Sequence, residues 1–421
     1  MSRPRAAIVV TGSELVRGDR NDLNGPFYAR EALRLGLEPT RIAIVGDQPD
    51  DLRAAIDQGL DADVLLVSGG LGPTHDDRTV ELVAAAVGRS LLLDASLEHE
   101  IGEVSRTFAT RMRRPYTDFE PGVRKQATIP DGAISLGLAG TAPGLVIDTG
   151  SCVVVVLPGP PSELQRLWPR VLETEPIRRV LARTVVPSRR VLRIYGVSES
   201  AVACALDDAG GDGDGVEVTI CARDFELHVD IVAEPGAEAA ADALISRLRS
   251  PLAESVFSED EISIEELVLD ACRSRGLTLA TAESCTGGMI AARLTSVPGS
   301  SDVFRGAVVA YANEIKESEL GVADALLAAH GAVSAEVASA MAHGVRERLG
   351  VDVAVAVTGI AGPNGGTPEK PVGLVFLHVV GPDGELAQQF EMPRDRDWIR
   401  SRATVAALHL LRRLLAPAAG S

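Results

Sequence analysis

The chain has 421 residues, 46% of them apolar, with charge spread throughout, which suits a globular protein of roughly two to four domains. Fifty-nine acidic residues against 41 basic ones give a net charge of −18, which argues against a general binder of nucleic acid or anionic membranes. Aromatics make up only 3%, too few for base-stacking platforms, and the five scattered cysteines lack the C-x-x-C spacing of a zinc site or the pattern of a disulfide frame. The first apolar run is too short for a signal peptide and no later one is long enough to span a bilayer, so a cytoplasmic location is expected.

In chain order, Ala6–Val10 reads as a buried strand running into Thr11-Gly12-Ser13-Glu14. Asn24–Leu35 follows as a helix, Pro39–Val45 as a strand ending at Gly46-Asp47, Asp50–Leu60 as a helix and Asp63–Val67 as a strand. A glycine-rich loop, Ser68 to Thr74, then leads to a helix from about Arg78 to Val87. Such alternation predicts a parallel sheet with its site at the carboxyl ends of the strands, where the turns at Thr11–Glu14, Gly46-Asp47 and Ser68–Asp77 all fall. Gly69, Gly70 and Gly72 let the backbone approach an anion, and Thr74 with the helix N-terminus can complete a phosphate cradle. Asp76 and Asp77 can hold a divalent ion, although capping of the next helix is the commoner fate of Asp there. The G-K-[ST] ending of a P-loop is absent.

Beyond the Pro158–Glu163 turn, Arg190–Ile194 and Gly215–Val232 have strand character, with helices near Glu199–Asp207 and Ala237–Leu248. Ile264–Arg275 is an amphipathic helix, Leu277–Ala282 a short buried strand, Glu283–Gly288 a turn and Met289–Leu294 a helical segment. That strand-to-helix turn should aim unpaired N–H groups at an anion or oxyanion. A second turn, Pro298 to Ser301, precedes an apolar run that ends in Tyr311-Ala312-Asn313-Glu314-Ile315-Lys316. Hydroxyls on two turns with a Tyr and a Lys downstream fit a serine–lysine hydrolase, though the same residues also read as an N-cap and a solvated lysine. Helices near Ala323–His330 and Ser334–Leu349, strands Val351–Val357 and Val372–Val380 and a terminal helix Asp395–Leu415 complete a second α/β layer.

Two sets of motifs carry a family resemblance. AESCTGG, PGSSDVFRG, VVAYANEIK, HGAVS and TGIAGPNGG…EKPVG, within about Glu259 to Leu415, resemble the C-terminal domain of the CinA (competence/damage-inducible) proteins, itself similar to nicotinamide mononucleotide (NMN) deamidases. TGSELVRG, DLNGPFYAREALRLGLE, IVGDQPD, SGGLGPTHDD, GTAPG and LPGPPSEL, within about Arg5 to Leu172, resemble the molybdopterin-binding-like domain at the front of the same proteins. The segment between them is similar to the KH-like connector of that family, but its loop Gly210–Gly215 carries aspartates where RNA-binding KH loops are basic.

The resemblance therefore implies an α/β chain of three parts. These are a molybdopterin-binding-like parallel-sheet domain over 1–172, a small α+β KH-like connector over 173–257 and a C-terminal α/β deamidase domain over 258–421. It implies deamidation of NMN to nicotinate mononucleotide without a cofactor. For the first domain it implies an ADP-ribose pyrophosphatase using Mg, Mn or Co. Carried over from the motifs, Ser301 is the expected nucleophile, Lys316 the base and Tyr311 a proton relay or orienter, with Ser284 a competing nucleophile. Ser284, Thr286 and Gly287 would bind substrate or form the oxyanion hole; Thr358, Gly359, Gly362 and Arg396 would hold phosphate. In the first domain Glu14, Asp47, Gly69, Gly70, Gly72, Thr74 and Thr141 would bind nucleotide and Asp76 and Asp77 metal. The expected partners are small nucleotides and a second copy of the chain, not nucleic acid or membrane. A molybdopterin-handling protein, or an accessory factor in competence or DNA-damage response, is the alternative.

Overall fold

The computed structural model describes residues 3–416, so the ends of the expected 1–172 and 258–421 segments lie outside the described residues. The chain divides between Ser188 and Arg189 into two compact units. The first is built on a six-stranded sheet in the order Glu38–Val45, Arg5–Thr11, Val64–Ser68, Val153–Leu157, Pro143–Asp148, Ile134–Leu138. The first three strands are parallel, as the alternation predicts; Val153–Leu157 continues that direction and Pro143–Asp148 pairs antiparallel with it and with Ile134–Leu138, three strands that the sequence reading did not assign. Val153–Leu157 is wholly buried, because helices cover the sheet on both faces. The unit continues past Leu172: helix Glu175–Leu181 adds Ile177 and Val180 to the core beside Trp168 and Val171.

The second unit holds two sheets. Val216–Arg223, Glu226–Ala233, Ser188–Ile194 and Val256–Ser258 form a four-stranded sheet, so the continuous strand character of Gly215–Val232 resolves into a hairpin that turns at Asp224 and Phe225. The other sheet runs Phe304–Val309, Leu279–Glu283, Val353–Gly359, Leu374–Gly381, Gly384–Glu391. Its first three strands are parallel and its last two antiparallel. One face packs on helices Ile264–Ser274 and Arg396–Leu415, the other on helix Ala335–Leu349. Gly344 lets that last helix approach the chain closely, since a Cβ there would stand 1.8 Å from the carbonyl oxygen of Leu320. This approach seats the short helix Asn313–Leu320 against it.

A buried polar cluster joins the small sheet to the terminal helix. Glu226 lies 2.8 Å from His409 Nε2, and the His409 ring stacks on Tyr195 at 3.6 Å between centroids. Burial raises the Glu226 carboxyl to about 7 and drops His409 to about 2, so the histidine is neutral under ordinary conditions. For Glu226 the folded value lies above the unfolded one, so the native state prefers the protonated carboxyl. The stability it contributes is present in acid and lost as pH rises from the ordinary carboxyl range through about 7. His409 acts in the opposite sense, losing stability as pH falls below the ordinary imidazole value. Glu226→Gln is therefore expected to melt higher than the parent at pH above 7, with the difference vanishing towards acid, in thermal melts across that range.

Candidate functional site

Three parallel strands end on one edge of the five-stranded sheet, and each delivers part of one cleft. Leu279–Glu283 leads to Ser284, Phe304–Val309 to Ala310 and Tyr311, and Val353–Gly359 supplies Thr358 and Gly359. The cleft has a volume of about 190 Å³, and Lys316, Asn313, Ala332, Val333 and Arg396 complete its wall.

Lys316 is the centre of the site. Its side chain is 1% exposed, reaching inward from helix Asn313–Leu320. Nζ lies 2.8 Å from the carbonyl oxygen of Ala310, 3.4 Å from that of Tyr311 and 3.3 Å from Ser284 Oγ. Among the described residues none forms a salt bridge with it; desolvation lowers its pKa, against weaker opposing influences from Cys285 and Glu314. A neutral amine has two N–H groups and one lone pair. Nζ stands within donating distance of all three oxygens; in the neutral form the two carbonyls would take its two protons and leave the lone pair facing the serine hydroxyl.

The turn that presents Ser284 is held by Glu283, a carboxylate with no solvent exposure. It accepts from the main-chain N–H of Gly288, Ile290 and Ala291 at 2.9–3.1 Å and from the hydroxyls of Thr286 at 2.8 Å and Thr281 at 3.2 Å. This corrects two expectations. The N-terminus of helix Met289–Thr295 is occupied by the protein's own carboxylate, so it is not a free anion site. The Thr286 hydroxyl is fully buried and committed to Glu283, so it does not face substrate. Gly287 lies within the same turn, its N–H bonded to the Ser284 carbonyl, and Arg400 braces the turn from outside through the carbonyls of Cys285 and Thr286. Burial pushes the Cys285 thiol up to about 12, which leaves it unionised and inert as a nucleophile.

Ser301 does not join the cleft. It sits in the short helix Ser300–Asp302 before strand Phe304–Val309, whereas Ser284 and Lys316 follow the ends of parallel strands. Five residues at ~3.3 Å each put the two edges about 17 Å apart, so Ser301 faces solvent on the far side of the sheet. Ser301, the expected nucleophile, is thus separated from the Lys316 amine, and the serine that the fold places beside that amine is Ser284.

Tyr311 is 61% exposed at the rim, and its hydroxyl accepts from Arg396 Nη2 at 2.9 Å; its carbonyl, not its hydroxyl, meets Lys316. Arg396 also donates to the Gly362 carbonyl at 2.8 Å, which fixes the guanidinium beside the cleft, while Gly362, expected to hold phosphate, does not line it. Thr358 Oγ1 donates to the Ala332 carbonyl at 2.7 Å and so pins the 332–333 wall. Lys370 donates to the carbonyls of His330 and Val333. Sequence reading missed Asn313 in the cleft and Glu283 beneath it; a carboxylate closing an apolar strand just before a helix was the available signal for the second.

In the first unit a cleft of about 510 Å³ gathers Glu14, Asp47, Gly69, Gly70, Asp76 and Asp77 at the carboxyl edge of the sheet. Gly69 permits the backbone crossing there, with φ of 103° and a notional Cβ 2.4 Å from the Thr11 carbonyl. Asp47 accepts from Ser13 N–H and hydroxyl at 2.9 and 2.6 Å, tying the first two turns together. Thr74 is no free phosphate ligand: its N–H donates to Asp77, and its hydroxyl lies between carboxylate oxygens of Asp76 and Asp77 that share its one proton. Neither aspartate caps helix Thr79–Ala86, which starts with no side-chain cap. Gly72 borders a neighbouring hollow and Thr141 another one beside Pro73 and Gln126, so neither reaches the cleft.

Comparison with known proteins follows the same division. The family model described as the probable molybdopterin binding domain matches residues 7–178, the damage-inducible protein CinA KH domain 189–258 and the CinA C-terminal domain 261–415. A CinA-like protein of Mycolicibacterium gilvum is 45% identical over 98% of this chain and 98% of its own length. A CinA-like protein of Mycobacterium tuberculosis strain H37Rv is 44% identical over 99% of each chain. Among solved structures, competence/damage inducible protein CihA from Agrobacterium tumefaciens is 42% identical over 38% of this chain and all of its own, with a TM-score of 0.36. With relatives of this identity aligned from end to end, and the three domain models following one another along the sequence, the chain belongs to the CinA family.

Proposed function

We propose that the second unit is a nicotinamide-nucleotide amidohydrolase that converts NMN and water to nicotinate mononucleotide and ammonia. The observation that carries this reading is the buried, uncompensated Lys316 amine 3.3 Å from Ser284 Oγ at the end of a cleft. In the proposed step the neutral amine takes the hydroxyl proton as Oγ bonds to the carboxamide carbon, and the carbonyl electrons move onto oxygen. As the tetrahedral species collapses, the C–N bond breaks and the Lys316 ammonium returns the proton to the departing ammonia. Water, deprotonated by the same amine, then cleaves the acyl ester and regenerates Ser284. Arg396, held by Tyr311 and Gly362 at the rim, supplies the positive charge a ribotide phosphate requires. Ammonia release from NMN by the purified full-length chain tests the reading; no release above a buffer blank rejects it.

A second activity, metal-dependent hydrolysis of ADP-ribose, is proposed for the first unit on the carboxylate-lined cleft there. Carboxylate oxygens suit a hard ion such as magnesium or manganese, which one or two carboxylates can hold with substrate phosphates completing the shell. Asp76 and Asp77 would hold that ion, which would neutralise charge on the pyrophosphate. Asp76→Asn and Asp77→Asn should each lower magnesium-dependent AMP production at least ~10-fold, read by chromatography, while ammonia release from NMN stays at the parental rate.

A further inference from the structure

On the second unit, away from the cleft, three potential ligand atoms converge. His343 from helix Ala335–Leu349 and His378 from strand Leu374–Gly381 each place Nε2 3.1 Å from the same Oε2 of Glu385, on strand Gly384–Glu391. All three atoms lie within 4.8 Å of one another, and among the described residues no other His, Cys, Asp or Glu group of three does this. The fold explains the convergence. Glu385 pairs with Val380 across the hairpin, so Glu385 and His378 are diagonal neighbours on one face, and helix Ala335–Leu349 packs on that face.

We propose that His343, His378 and Glu385 form a binding site for a divalent transition-metal ion of the zinc class, clipping helix Ala335–Leu349 to the terminal hairpin. Zinc bonded to nitrogen and oxygen at about 2.0–2.1 Å in tetrahedral geometry sets ligand atoms about 3.3 Å apart, close to the 3.1 Å spacings here. Two imidazoles and one carboxylate favour zinc over magnesium or calcium, which prefer all-oxygen shells. Water supplies the fourth ligand, since His343 and Glu385 keep 51% and 53% of their side-chain surface exposed. His378, at 9%, anchors the site to the sheet. The metal-binding form needs both Nε2 lone pairs, so each imidazole carries its proton on Nδ1.

The test is zinc uptake by the full-length chain at near-neutral pH, by calorimetry and equilibrium dialysis, for the parent, His343→Ala and Glu385→Gln. Both substituted side chains are half exposed, so neither change opens the core. The parent is expected to take up one zinc equivalent more than either variant, and zinc should raise its melting temperature but not theirs. Cobalt in the parent alone should show the strong visible bands of a tetrahedral site. Equal zinc stoichiometry in all three chains, or a parent that takes up no zinc and gives no cobalt bands, overturns the proposal.

Discussion

Ser284→Ala is expected to abolish release of ammonia from NMN, a loss of about 10⁴-fold or more in kcat, while Ser301→Ala keeps the parental rate. The contrast follows from the sheet. Parallel strands begin on one edge and finish on the other, and Ser301 precedes a strand whereas Ser284 and Lys316 follow strands. Only Ser284 can give its proton to the Lys316 amine, at 3.3 Å. Both variants should fold: Ser301 is exposed, and Ser284 contributes only a hydroxyl beside the cleft. Steady-state assays of the two, with circular dichroism as the folding control, decide between the serines. A Ser301→Ala chain as inactive as Ser284→Ala would return the nucleophile to the far edge and remove the basis for the cleft.

Lys316→Met is expected to be equally inactive and, in addition, to change how stability depends on pH. Burial lowers the lysine pKa in the folded protein, so between that value and the ordinary one near 10.5 the unfolded chain binds more protons than the native one. Stability contributed by this group therefore rises with pH across that interval. Methionine has similar length and no charge, so the variant should lack this rise, read as melting temperature against pH. The activity of the parent should climb through the same lowered pKa, because only the neutral amine accepts a proton. A parent whose rate is flat with pH below the ordinary lysine range, alongside an active Lys316→Met, would exclude the amine as base. Lys316→Arg should not rescue, since guanidinium stays protonated at any such pH.

The two predictions share one physical cause, the placing of a lysine where water is scarce. Helix Asn313–Leu320 is held against Ala335–Leu349 at a crossing that Gly344 alone permits, and this buries Lys316 beneath Ala310 and Tyr311. Glu283 does the complementary work, gathering the N–H groups after Ser284 so that the hydroxyl stands at a fixed point. Arg396 is held at the rim by the Tyr311 hydroxyl.

The sequence by itself determined the element types wherever periodicity was strong and connections short. The parallel strands Arg5–Thr11, Glu38–Val45 and Val64–Ser68, the strand–turn–helix around Glu283, and the helices Ala335–Leu349 and Arg396–Leu415 all stand where the apolar pattern put them, within the usual residue or two. Motif order likewise identified the family, and Lys316, Tyr311, Ser284, Thr358, Gly359 and Arg396 do share one cleft. What it left unread was the segment between about Val87 and Pro158, where the long helix Ala95–Met112, the antiparallel hairpin Ile134–Leu138 with Pro143–Asp148 and the strand Val153–Leu157 are found. Short apolar runs there carry no period long enough to tell strand from helix.

Tertiary structure alone decided which hydroxyl meets the amine and which polar groups remain free for substrate. Spacing along the chain points to Ser301, which is nearer to Lys316 in sequence than Ser284 is, yet a strand about 17 Å long stands between Ser301 and the amine. Thr74 and Thr286 read as ligands for the same reason that they fail as such: small hydroxyls in tight turns bond to whatever carboxylate the fold brings closest, here Asp76, Asp77 and Glu283. The meeting of His343, His378 and Glu385, from one helix and two strands, is likewise a fact of packing that no local pattern announces.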